Sequence, residues 1–120
     1  MASTNLEIGS DTERRVAPAT IHEVARQIAE RFDPQRIVLF GSYAYGQPNR
    51  TSDVDMLVIM DTPLKETEQA VRICQAIKYH FGLDLIVRKP LTIDYRLALG
   101  DVFLTEILSK GEVLYERSNN

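Results

Sequence analysis

The chain has 120 residues, a length that holds one ordinary domain and leaves no room for two. Hydrophobic residues make up 44% and charged residues 26%, which excludes an intrinsically disordered chain. A formal net charge of -3 gives no support for tracking a long nucleic-acid backbone, although a nucleotide held through metal ions stays open, because metals bring their own positive charge.

Cys74 is the single cysteine, so no internal disulfide can form, and no Cys/His pair has zinc spacing. This usage fits a reducing, cytoplasmic setting. Residues 1–17 are polar, lack the apolar core of a signal peptide and show no periodicity, so they read as a flexible N-terminal leader. No apolar run approaches the ~20 residues that cross a bilayer, and no membrane association is expected.

The domain proper is expected over residues 18–117. Thr20 and Glu23 have the spacing of a capping box, and Ile21, Val24, Ala25, Ile28 and Ala29 then share one helical face up to Phe32. Asp33-Pro34 stops that helix. Arg36 to Phe40 reads as a buried strand, Gly41 to Ser52 as a turn-rich connection and Asp53 to Met60 as a second strand. The row Ala70, Ile73, Cys74, Ile77, Phe81 predicts a helix over 65–81, with Gly82 as its terminator. Leu83 to Val87 is a third strand. Residues 92–109 read as one bent or two short helices broken at Gly100, and residues 113–115 as a short final strand. This order predicts an α/β (α+β) domain, a mixed sheet of three to four strands with helices packed on it.

The chemistry concentrates on a few residues. Asp53 and Asp55 stand two apart on an otherwise apolar strand, so they share a face and lie roughly 6.5–7 Å apart along it. Like charges at that spacing repel unless a cation relieves them, and Mg²⁺ prefers carboxylate oxygens together with substrate phosphates. Two metal ions ~3.5–4 Å apart could both draw ligands from this pair. Asp84 is one acid embedded in Leu83-Asp84-Leu85-Ile86-Val87; a turn acid near Gly82 is its plainer reading, and a third carboxylate beside the pair its sharper one. Gly41-Ser42 follows the first strand, where glycine lets the backbone approach a phosphate, serine adds a donor, and a short helix from Ser42 to Tyr45 could turn free N–H groups toward an anion. Gly-Ser followed after ten residues by Asp-x-Asp arises by chance in a chain of this length only about once in a thousand. Tyr43 and Tyr45 read as packing aromatics, His22 and His80 as surface residues and Cys74 as a small core residue.

The segments Phe40-Gly41-Ser42-Tyr43-Ala44-Tyr45-Gly46 and Ser52-Asp53-Val54-Asp55-Met56-Leu57-Val58 closely resemble the nucleotidyltransferase superfamily that includes DNA polymerase beta. The likeness is strongest to the minimal nucleotidyltransferases, the MNT family, and extends from about Ile21 to Arg117. The resemblance implies a Mg²⁺-dependent enzyme that moves AMP from ATP onto a hydroxyl. It places the triphosphate on Gly41 and Ser42 and two metal ions on Asp53 and Asp55, with Asp84 as third acid, metal ligand and base. Many relatives carry arginines in the loop after Gly-Ser, where this chain has Tyr43 and Tyr45; Arg50 is the candidate substitute.

Larger relatives add a helical domain that presents the acceptor, and this chain is expected to take its acceptor from a partner. In the resembled family that partner is a HEPN-domain RNase toxin, with AMP going onto one of its tyrosines and the transferase acting as antitoxin. A non-catalytic antitoxin that neutralises the toxin by binding alone is the rival reading, and an enzyme for a free small acceptor such as an aminoglycoside is a weaker third.

Overall fold

Two adjacent strands with no polar face need cover on both sides, and the rest of the chain supplies it. The computed structural model describes residues 15–118. Helix α1 spans Pro18–Phe32, strand β1 Arg36–Phe40 and the one-turn helix α2 Ser42–Tyr45. Strand β2 is Val54–Ile59, helix α3 Glu66–Ala76 and strand β3 Leu83–Arg88. Helix α4 (Pro90–Ala98), helix α5 (Val102–Lys110) and strand β4 (Glu112–Glu116) complete the order.

The sheet runs β3-β2-β1-β4. Strand β2 pairs antiparallel with β1 and parallel with β3, so the sheet is mixed as expected, with four strands. On one face Val38, Phe40, Leu57 and Ile59 pack with Ile93 of α4 and Leu104 and Ile107 of α5. On the other, Ile37, Leu39, Met56 and Val58 meet Ile21, Val24 and Ile28 of α1 and Ile73 of α3. Alternation along the strands thus sorts side chains between two half-cores.

Three local expectations change. Helix α1 begins at Pro18 with Ala17 as an extended N-cap and no side-chain cap bond, so the Thr20–Glu23 capping box does not form. Proline at the first helical position, with φ already set and no N–H to satisfy, starts the helix three residues earlier. Helix α3 stops at Ala76 rather than near Phe81, and Ile77 is extended. The Gln27 side chain fixes this end: its carbonyl accepts the Lys78 N–H at 2.8 Å and its amide donates to the Lys78 carbonyl at 3.0 Å. Gly82 consequently opens β3 instead of ending a helix. The break at Gly100 (φ +82°), the Gly111 terminator and the final strand are all present.

Val16 packs against the core and donates its N–H to the Tyr43 hydroxyl at 3.0 Å; the expected leader otherwise falls mainly on residues 1–14, outside the described residues. Among the described residues no helix is long and apolar enough to cross a membrane. Leu57 is fully buried at the centre of β2. Leu57→Ala should cost about 2–5 kcal/mol, read as a lower denaturant midpoint with an unchanged slope; a loss below about 1 kcal/mol would show that the site collapses around the cavity.

Candidate active site

One end of the sheet collects all five residues singled out from the sequence. Strand β1 ends at Phe40, and Gly41 turns the chain with φ +75° and ψ -154° before α2. Few side chains tolerate that φ. Close approach demands glycine as well: a Cβ on Gly41 would overlap Asp55 Oδ2. The Ala44 and Tyr45 N–H groups both bond the Gly41 carbonyl at 3.0 Å, which leaves the Ser42 and Tyr43 amides at the helix start without helical acceptors.

The loop that returns to β2 is set by Asn49. Its Oδ1 accepts the Thr51 N–H at 2.9 Å and the Thr51 hydroxyl at 2.6 Å, while the Ser52 hydroxyl accepts the Asn49 N–H at 3.0 Å. This turn delivers Asp53 directly ahead of β2. The Val54 N–H then donates to the Gly82 carbonyl at 2.9 Å, tying the strand's start to the β3 side.

Register does the remaining work. Asp55 stands opposite Phe40 on β1 and beside Asp84 on β3. Asp55 and Asp84 lie on the sheet face that carries Leu57 and Ile86, and Asp53, two residues before Asp55, continues it. Asp53 and Asp84 are exposed and Asp55 is half-buried. Partial burial pushes the Asp55 carboxyl up to about 6, with the neighbouring Asp84 and Asp53 charges adding to the effect. Asp84 is therefore no isolated turn acid.

Gly82 is the site feature that the sequence pattern assigned elsewhere. A Cβ there would overlap Asp53 Oδ1, so its bare backbone gives the Asp53 carboxylate its place. Two glycines, Gly41 and Gly82, thus each make room for one acid. The usable signal was a glycine two residues before a lone strand aspartate.

Tyr43 is committed to packing: it touches the core beside α1 and accepts the Val16 N–H, while Tyr45 is more exposed. Arg50 is exposed in the loop leading to Asp53. His22 and His80 lie at the surface. Cys74 is half-buried against the core, and burial pushes its thiol up, which keeps it protonated.

Among the described residues no three Asp, Glu, His or Cys side chains form a metal cage by themselves. Such a cage is not what a nucleotide-bound magnesium needs, since that ion takes one or two carboxylates and completes its shell with phosphates and water. Asp55 and Asp84 are adjacent hard-oxygen donors whose repulsion a cation would relieve. The residues present fit a divalent ion that arrives with a nucleotide.

Such a site, on a mixed sheet with helices on both faces, defines a minimal nucleotidyltransferase. Residues 22–120 match the family Polymerase beta, Nucleotidyltransferase, and the chain belongs to that family. A Methanocaldococcus jannaschii protein provisionally named a protein adenylyltransferase, MJ0141, is 33% identical over 78 residues, covering 63% of this chain and 74% of the relative. A provisionally named nucleotidyltransferase from Sulfolobus solfataricus shares the fold with a TM-score of 0.59 at 18% identity, over 85% of this chain and 82% of that one. A chain of the toxin–antitoxin MntA–HpeT, in a mutant with two aspartates two positions apart changed to glutamate, superposes with a TM-score of 0.50 at 21% identity, over 80% and 73%.

The raised Asp55 pKa has a stability consequence. Its contribution to folding is complete below the ordinary value of 3.8 and is lost as pH rises through about 6, because the native state then holds a carboxylate it disfavours. Asp55→Asn should therefore stabilise the metal-free protein at pH 8 by roughly 1 kcal/mol after allowance for solvent screening, and leave it unchanged near pH 4. Thermal melts at the two pH values check this; equal melts at pH 8 would contradict it.

Proposed function

We propose that the protein transfers AMP from ATP to a tyrosine hydroxyl of a partner HEPN-domain RNase toxin and so acts as its antitoxin. The observation that carries this reading is the convergence of Asp55 and Asp84 in register, next to a glycine-serine turn that leaves backbone amides open. The family assignment supports nucleotidyl transfer, the relative's name points to a protein acceptor, and the structural neighbour comes from a toxin–antitoxin pair. In that neighbour the mutated aspartates have the same spacing as Asp53 and Asp55.

Each residue then has a task. Gly41 lets the triphosphate approach the backbone, and the Ser42 and Tyr43 amides with the Ser42 hydroxyl meet its oxygens. Asp53, Asp55 and Asp84 would hold up to two Mg²⁺ ions, which supply Lewis-acid polarisation of the phosphate and offset charge on the departing pyrophosphate. Asp84, exposed at the sheet edge, accepts the proton of the attacking hydroxyl. The new bond joins the acceptor oxygen to the α-phosphorus, and the α–β bridging P–O bond breaks. Positioning and electrostatics account for the rate.

Binding without chemistry is the second reading, and the loop favours it in one respect. Tyr43 is spent on packing, in the loop where the resembled family is expected to carry arginines, so a phosphate-contacting cation is not supplied from that position.

Incubation of the protein with its HEPN partner, Mg²⁺ and ATP, followed by intact-mass spectrometry, separates the two. The expected result is mass added to the partner in AMP units, lost by at least about a hundredfold in Asp53→Asn and Asp55→Asn. A neutralised but unmodified partner would favour binding alone. Asp84→Asn should slow transfer by a similar factor, and full activity in that variant would remove Asp84 from the reaction.

A further inference from the structure

A row of large apolar side chains stands in water on the helical hairpin α4–α5. Leu91 and Tyr95 of α4 and its C-cap residue Leu99 recur every fourth residue, and Val102 and Phe103 follow at the start of α5. Their relative exposures are 80%, 66%, 67%, 79% and 51%. Other residues of the same helices, Ile93, Leu104 and Ile107, are buried against the sheet. The hairpin is thus apolar on both sides, and only one side is covered. Five large apolar residues, each more than half exposed along one hairpin, differ from the scattered single apolar side chains that are normal on a monomer surface.

The Phe103 end of the row reaches toward the acid site. Phe103 packs edge-on against Phe40 with ring centroids 5.7 Å apart, and Phe40 stands opposite Asp55 in the sheet. Phe40, Asp55 and the α4–α5 hairpin all lie on the same face of the sheet. A molecule seated on the row therefore has its Phe103 end directed toward the carboxylates. The surrounding charges are mixed: Arg96 pairs with Asp101 at 3.7 Å and Lys110 with Glu106 at 3.5 Å. Such a surface has no basic field to attract nucleic acid or anionic lipid.

We infer that the exposed apolar row from Leu91 to Phe103 is the docking surface for the acceptor protein, which meets it with an apolar face of its own and so brings its hydroxyl to the acid site. This rests on the protein-acceptor reading above. Extent argues for a protein occupant, since five exposed apolar residues spread along two helices are more than a small acceptor would cover. The direction of the Phe103 end toward the acids argues for the acceptor in particular.

Leu99→Asp and Val102→Asp change exposed positions and should keep the fold and the nucleotide site. Three readouts are compared with the native protein: affinity for the purified HEPN-domain partner by titration calorimetry, AMP added to that partner by mass spectrometry, and the melting-temperature rise with Mg²⁺ and a non-hydrolysable ATP analogue. The expected result is at least about tenfold weaker partner binding with a parallel fall in transfer, and an unchanged nucleotide-dependent rise. Partner binding at native strength in both variants would overturn the inference while leaving transfer intact as a reading. Weakened binding to a partner that the native protein never modifies would leave the docking surface standing and sink the transfer step. No complex with the native protein, or a native homodimer or vesicle binding that the variants abolish, would assign the row to another occupant and overturn the inference.

Discussion

Asp55 and Asp84 are held side by side by the parallel ladder between β2 and β3, and like charges do not settle there of their own accord. The ladder can impose this because every other residue of β2 is deeply buried: Val54, Met56, Leu57, Val58 and Ile59 fix the strand from both faces. The stability of two half-cores is thus used to hold an unfavourable electrostatic pair at the strand's open end. Partial burial first, and the neighbouring acids second, push the Asp55 carboxyl up to about 6. A cation beside these acids would relieve that penalty.

Steric detail sharpens the arrangement. Gly41 and Gly82 flank the acids from the two neighbouring strands, and a Cβ on either would displace a carboxylate. Gly41 also turns the chain into α2, so one residue both admits Asp55 and starts the turn whose amides stay open. The glycine-serine turn and the acids are therefore coupled through a single close approach. The same sheet face carries the α4–α5 hairpin, whose Phe103 reaches back to Phe40.

Much of this was legible in the amino-acid sequence because two periodicities are unambiguous. Ile37 to Phe40 and Val54 to Ile59 are near-continuous apolar runs apart from Asp55, which read as strands and marked that acid as the exception. Asp84 was equally visible as a lone acid, but its adjacency to Asp55 depends on a β-α-β crossover and a register that local pattern does not encode. The Thr20–Glu23 pair misled because proline at Pro18 starts a helix without needing a cap. The end of α3 was overestimated for a different reason: the row to Phe81 keeps helical spacing, yet Gln27, far away in the chain, holds the Lys78 backbone out of the helix. Gly82 was misassigned for the same reason.

The central claim is that the acids at the end of β2 and β3 form the divalent-ion side of a nucleotide site. Crystals grown with Mn²⁺ and a non-hydrolysable ATP analogue test it most directly, because anomalous scattering locates manganese independently of the protein phases. The expected result is at least one manganese peak bridging carboxylate oxygens of Asp53 and Asp55 and the triphosphate, with the triphosphate against Gly41 and Ser42. Nucleotide bound away from Gly41, or bound there with no manganese at the carboxylates, would contradict the claim.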